Sequence, residues 1–406
     1  MGAPSETYQY NLSLFYSLYS LPNTVLPLLF GSLLDRLGTP KLLLGLSTCV
    51  VLGQLVFAVG ITYRSFFTCL VGRLLFGIGG ESLGVVQSHI TSTWFKNGDI
   101  AFALGINLTI GRLGSVFNDL VSPLIAVNLN VPAAVWFGTF MCLLSFANAI
   151  LLAYYEMSRI RDTSTSIDLE SSKDSNENIP IAQDHDSDTP SEEQAYINSI
   201  SFWLPESFWW ICGVIIFMYG TMIPFNTIHG ALLQLKWYPS DPKTAGQIMA
   251  IPDTISALSV PLVGKFVDIF RHRIKLLYIC GFLMAISHSY LAMATNDSFS
   301  PLPVLCLLGF AYSLLSTAWV CIPLVAHESH LGTSFGIATS LLNTSLTLFP
   351  LIVAFSINSD PTYTLVEVLF VGSSLLGIFC AYKISQTDPQ VDMMELKGYN
   401  RGLNMH

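Results

Sequence analysis

Long runs of apolar residues, separated by short polar or turn-forming stretches, fill almost the whole chain. A helix rises about 1.5 Å per residue, so about 20 such residues cross about 30 Å of hydrocarbon. Eleven runs of roughly that length lie near residues 12–34, 42–61, 66–93, 100–127, 131–155, 208–233, 244–269, 274–294, 301–326, 332–357 and 364–385. The pattern predicts an all-α polytopic membrane protein embedded in a lipid bilayer. One stretch breaks it, "RDTSTSIDLESSKDSNENIPIAQDHDSDTPSEEQ", rich in Ser, Asp, Glu and Pro and poor in aromatics. Such a composition buries too little apolar surface to offset its ordering entropy, which predicts a disordered acidic linker. The chain therefore divides into a luminal segment 1–11, a five-helix half 12–155, a linker 156–204, a six-helix half 205–386 and a tail 387–406.

The halves look like repeats. "GSLLDRLGTPKLLL" places Asp35 four residues after Gly31, followed by Arg36 and Lys41, and "GKFVDIFRHRIKLL" places Asp268 four residues after Gly264, followed by Arg271, Arg273 and Lys275. Asp35 and Asp268 are 233 residues apart, and Gly105 of "FALGI" and Gly336 of "SFGIA" are 231 apart. Parallel repeats of this kind are a transporter signature. With both Gly-x-x-x-Asp loops, the linker and the C-terminus placed in the cytoplasm, thirteen of the eighteen Lys and Arg lie inside. Arg64, Lys236 and Lys243 then lie outside, with Arg73 and Arg112 in the membrane. That asymmetry is the one expected of basic cytoplasmic loops. It leaves a mismatch of five helices against six, so the repeat implies a helix before Leu12 that "MGAPSETYQY" does not form: either the sequence begins downstream of the true start or this form lacks a helix.

Composition adds little to this and removes some alternatives. Hydrophobic residues make up 52% and charged residues 11% of the chain, far from the quarter charged of an ordinary soluble domain. The net charge of −9 does not describe a surface for a basic partner, because the linker alone carries eight of those negative charges. No feature points to nucleic acid. All eight cysteines fall in apolar runs without a C-x-x-C pair, which fits buried thiols better than disulfides or a metal site, and no cofactor pattern is present.

The two halves and "GSLLDRLGTPK" resemble the major facilitator superfamily, whose loop between helices two and three reads G-x-x-x-D-R-x-G-x-[KR]. Gly31, Asp35, Arg36, Gly38 and Lys41 match it, and Arg73, Gly77 and Gly79 match the R-x-x-x-G-x-G of its fourth helix. The proline motif of its antiporters is absent from "GINLTIGRLG". The resemblance implies a cytoplasmic latch in which each loop aspartate meets a basic partner at a helix end, with Asp268 and Arg271 in the second half. "GRLLFGIGGESLGVVQ", "WFK" and "GRLGSVFN" are similar to one lysosomal branch of the superfamily, starting at its second helix, so that the first is lacking. That likeness implies a dipeptide uniporter of the lysosomal membrane, helped by a glycosylated lysosomal membrane protein as accessory subunit.

Gly80 to Gly84, "GESLG", spell the G-x-S-x-G of a serine hydrolase elbow. The elbow needs a strand before its serine, whereas Ser82 sits inside an apolar run, so an intramembrane protease pairing it with His288 is the stronger enzyme alternative. "GESL" lacks the G-x-S-G of such proteases, and a non-enzymatic reading centred on Glu81 is preferred. Charges in the bilayer cost several kcal/mol unless paired or hydrated. Glu81 and Arg112 lie at similar depth on successive antiparallel helices, as a structural ion pair or as the two poles of a zwitterion site. In the second case Glu81 holds an ammonium and Arg112 grips a carboxylate. Tyr16, Tyr19, Tyr219 and Tyr312 are candidate cavity aromatics. Arg73 with Asp119 is a candidate structural pair, Asp253 and Glu367 are structural or coupling acids, and His89 and His288 read first as core histidines. Asn11 and Asn296 open glycosylation motifs. The expected function is alternating-access transport of a small zwitterion, facilitative or proton-linked, with a non-transporting membrane scaffold as the rival.

Overall fold

The computed structural model describes residues 22–96, 98–174, 204–239, 241–294, 300–388 and 391. They form helices α1 (Leu26–Leu37), α2 (Thr39–Thr62), α3 (Phe66–Trp94), α4 (Ile100–Asn128), α5 (Val131–Asp174) and α6 (Glu206–Lys236). There follow α7 (Pro242–Phe270), α8 (Arg273–Met293), α9 (Leu302–Val325), α10 (Leu331–Ser359) and α11 (Thr364–Thr387), and no strand occurs among the described residues. Nine of these spans are long and apolar enough to cross a membrane. α5 runs on to Asp174, so the opening of the expected linker is helical: extending a formed helix costs far less than starting one.

In lipid, apolar side chains gain little by meeting one another, so helices associate through close packing at small residues. The α2/α3 seam follows this rule. A Cβ on Gly53 would lie 2.3 Å from the Phe76 amide nitrogen, and one on Gly72 would lie 2.5 Å from that of Phe57. α2 also packs on α5; in the second half α8 packs on α11 and α9, and α7 on α9. Two seams join the halves, α1 against α10 and α4 against α7.

Irregular backbone is concentrated in the second half. α6 contains a π-helical segment, Ile215–Tyr219, and Pro224 interrupts its ladder one turn later. The carbonyls of Ile216 and Phe217 in that segment accept from the hydroxyls of Ser345 on α10 and Ser373 on α11, both at 2.8 Å. These bonds supply the satisfaction that hydrocarbon denies. α9 is broken at Ser316 between two helical segments, Leu302–Leu315 and Thr317–Val325.

Outside the membrane spans, Asp360 ties the start of α11. Its carboxylate accepts from the Thr362 hydroxyl at 2.5 Å and from the Leu365 amide at 2.9 Å, and these bonds, the hydroxyl first, hold its pKa below the usual Asp value. A depressed carboxylate contributes stability above its unfolded-state pKa and loses it only as pH falls through the lower folded-state value. The Leu365 amide should therefore stay protected from exchange down to about pH 4, the ordinary Asp range, and open below it.

Candidate functional site

Two groups of residues lie where the halves meet. The first is at the ends of both seams. Asp35 Oδ1 accepts the Gly332 amide at 2.8 Å, and its Oδ2 accepts the Thr333 amide at 2.7 Å and the Thr333 hydroxyl at 2.5 Å. Asp268 repeats this on the other seam, accepting the amides of Ala101 at 3.0 Å and Phe102 at 2.8 Å. Each aspartate thus caps the N-terminus of a helix belonging to the opposite half, where free N–H groups and the helix dipole favour negative charge. These hydrogen bonds run to backbone N–H groups, which the expectation of a basic partner did not include; Arg36 and Lys41 are exposed at this end.

The glycines of the latch have separate reasons. A Cβ on Gly31 would lie 2.4 Å from the Gly332 carbonyl oxygen, and one on Gly264 would lie 2.5 Å from that of Ala101, so both seams demand close approach. Gly38 has no such neighbour but turns the chain with φ +82°. The second-half position 233 residues on is Arg271, which takes the same left-handed region at φ 60° without being glycine. Around these caps, Lys96 meets Glu328 at 2.8 Å and Lys265 meets Asp99 at 2.5 Å, each pair crossing between the halves. Exposed pairs of this kind contribute about 0–1 kcal/mol. Glu328→Gln is expected to speed cysteine labelling at this end by less than about fivefold, with the difference vanishing in high salt.

The second group lies further along the α4/α7 seam. Arg112 of α4 donates through Nη1 to Ser256 Oγ of α7, and its guanidinium carbon sits 4.0 Å from the centre of the Tyr312 ring on α9. Tyr312 packs edge-on to Tyr219, whose hydroxyl accepts from Trp319 Nε1 at 3.0 Å. The π-helical segment sets Tyr219, and the break in α9 lies between Tyr312 and Trp319. Distorted helix at a membrane midpoint is characteristic of binding sites. Arg112 Nη2 is buried and has no hydrogen-bond partner among the described residues. Asp253, one turn from Ser256, accepts from Asn226 Nδ2 at 3.2 Å.

Of the residues singled out in the sequence, Arg112, Tyr219, Tyr312 and Asp253 come together here. Glu81 lies half-buried on α3, while Arg112 engages the second half through Ser256 and Tyr312. Arg73 lies 4.3 Å from the centre of the Phe57 ring. Tyr16, Tyr19, Asn11, Asn296 and the Asp119 side chain lie outside the described residues. Ser82 is fully buried inside α3, with no strand to form an elbow, and His288 bonds Glu367 at 2.6 Å within the other half. His89 stands 3.5 Å from the Thr39 hydroxyl. Sequence reasoning missed Ser256, Asn226 and Trp319. The sequence signals near them are prolines inside helices: Pro252 in α7, Pro224 in α6 and Pro323 in α9.

A two-half bundle with capped latches and a polar group between the halves defines a secondary transporter rather than an enzyme. The chain belongs to the Major Facilitator Superfamily, whose family model matches residues 3–350. Among characterised proteins it is similar to the lysosomal dipeptide transporter MFSD1 of Mus musculus, 29% identical over 92% of this chain and 78% of the relative. The MFSD1 of Danio rerio is 30% identical over 90% of this chain and 77% of that protein. Solved structures share the fold at low identity. The transporter FucP in its outward conformation aligns with TM-score 0.67 at 12% identity over 95% of this chain and 92% of its own. A double-tryptophan mutant of XylE aligns with TM-score 0.72 at 12% identity, over 97% and 90% of the two chains.

Proposed function

We propose that the protein carries small zwitterionic solutes, dipeptides foremost, across the lysosomal membrane by alternating access between its halves. The observation that carries this reading is Arg112: a guanidinium set between the halves, braced by Ser256 and Tyr312, with buried Nη2 lacking a partner among the described residues. A carboxylate is the natural acceptor for a preorganised guanidinium fork. Every dipeptide offers one whatever its side chains, and the two MFSD1 relatives bear a dipeptide transporter's name. Glu81, named from the sequence as the group to hold the ammonium, lies half-buried on α3 of the same half as Arg112.

In this reading the latch end faces the cytoplasm with the linker and the C-terminus, as the distribution of Lys and Arg favours. The lysosomal address and a glycosylated accessory subunit follow the family branch. The test is uptake of radiolabelled dialanine into vesicles containing the full chain. Saturable uptake, inhibited by dipeptides of unrelated side chains but not by their C-terminal amides, is the expected result. Vesicles that bind no dipeptide and pass none would favour the scaffold.

A further inference from the structure

α7 presents one continuous stripe to α4. From the latch upward, Asp268 caps Ala101 and Phe102, Gly264 lies against Ala101, and Val260 lies against Gly105. The Ala257 carbonyl then accepts from the Thr109 hydroxyl at 3.2 Å, and Ser256 accepts from Arg112. Steps of three or four residues keep these positions on one helix face. Asp253 is the next position on that face, three residues beyond Ser256.

Burial changes abruptly there. Ser256 is 0% exposed, whereas Asp253 and Thr254 are exposed. The close seam therefore ends at Ser256, and Asp253 stands beyond it. Arg112 lies on the Tyr312 ring and bonds Ser256, and Asp253 is one turn of α7 from Ser256.

The unused hydrogen-bonding capacity of this neighbourhood is complementary. Arg112 Nη2 is a buried donor without an acceptor, and Asn226 Oδ1 is a buried acceptor without a donor, among the described residues. Asn226 donates to Asp253 Oδ1, and Oδ2 takes no hydrogen bond among the described residues. A buried polar atom without a partner is unfavourable, and a bound ligand relieves it. One open donor at Arg112 fits a carboxylate; two open acceptors at Asp253 and Asn226 fit an ammonium, which has donors only. Along α7 the two poles are three residues apart, about 4.5 Å, and each side chain extends that reach.

We propose that Asp253 and Asn226 form the ammonium subsite, so that one zwitterion bridges the halves from Arg112 on α4 to Asp253 on α7 and Asn226 on α6. This rests on the carboxylate reading of Arg112 and adds the second pole, assigning it to the opposite half. A substrate held this way contacts both moving bodies at once, which is how its binding biases their rearrangement.

The test measures binding of three probes to the purified full-length protein: dialanine, N-acetyl-dialanine and dialanine amide. In the unaltered protein, acetylation and amidation should each weaken binding about tenfold or more, the effect of one charge-assisted hydrogen bond. In Asp253→Asn the acetylation penalty should disappear while the amidation penalty stays; in Arg112→Ala the reverse should hold. Asn226→Leu, which keeps the aspartate, should shrink the acetylation penalty and serves if Asp253→Asn does not fold. A full acetylation penalty in both second-half variants, or its loss in Glu81→Gln alone, overturns the subsite and leaves the Arg112 reading standing. Absence of any amidation penalty in the unaltered protein overturns the Arg112 reading itself.

Discussion

Arg112→Ala is expected to reduce dipeptide uptake by roughly 30-fold or more, corresponding to the 2–5 kcal/mol typical of truncating a buried charged partner. Three roles are lost together: the bond to Ser256, the contact with the Tyr312 ring, and the open Nη2. Arg112→Lys should recover little. An ammonium is a compact point charge without the planar fork that bonds Ser256, stacks on Tyr312 and still offers a free N–H. The measurement is initial-rate uptake of dialanine, with the melting temperature in detergent as companion. A site role predicts lost uptake at a nearly unchanged melting temperature. A large fall in melting temperature with residual uptake in proportion to folded protein would make Arg112 a structural brace instead.

Gly31→Val is expected to be nearly as damaging, for a reason remote from the substrate. The new Cβ would lie 2.4 Å from the Gly332 carbonyl oxygen and 2.9 Å from the Gly336 Cα, both backbone atoms that no rotamer change can move aside. α1 must then retreat from α10, and Asp35, one turn on, loses the amides of Gly332 and Thr333. Overpacking costs about 1–3 kcal/mol and a lost half-buried charged cap about as much again, so the closed-to-open ratio of the latch should fall about 100-fold or more. Spin labels at positions 96 and 328, joined across the latch in the unaltered protein, should report a longer distance in the variant. Gly264→Val should act equivalently on the other seam, while Asp35→Asn, which keeps one accepting oxygen, should act more weakly. An unchanged distance in both valine variants would refute the close-approach argument.

The membrane class was legible because hydrocarbon thickness imposes a length and a polarity on each span, and both are written locally. The repeat was legible because Asp35 and Asp268 do the same job at nearly one offset. The identity of their partners was not. A sequence shows side chains, and the latch partners are backbone amides that become available only where a helix begins against the other half. Arg112 was legible as a charge in an apolar run and Tyr312 as a cavity aromatic, but the hydroxyl that Arg112 bonds was not. Ser256 is one of many serines, and nothing in "AIPDTISALSVPLVG" distinguishes it until α7 is packed against α4. The π-helical segment at Tyr219 was equally hidden, because it depends on hydroxyls of Ser345 and Ser373, 129 and 156 residues away.

By itself the sequence determined that this is a helical membrane protein of two repeated halves, with a buried basic residue and a pair of glycine–aspartate loops, since hydropathy, spacing and residue type are properties of the chain alone. Only the tertiary structure decided what each of them meets. Close approach at Gly31 and Gly264 docks the halves, the docked helix ends create the acceptors' partners, and the packing of α4 on α7 brings Arg112 to Ser256, one turn from Asp253. Those are contacts between residues far apart in the chain, and they exist only after two independent bundles have packed against each other.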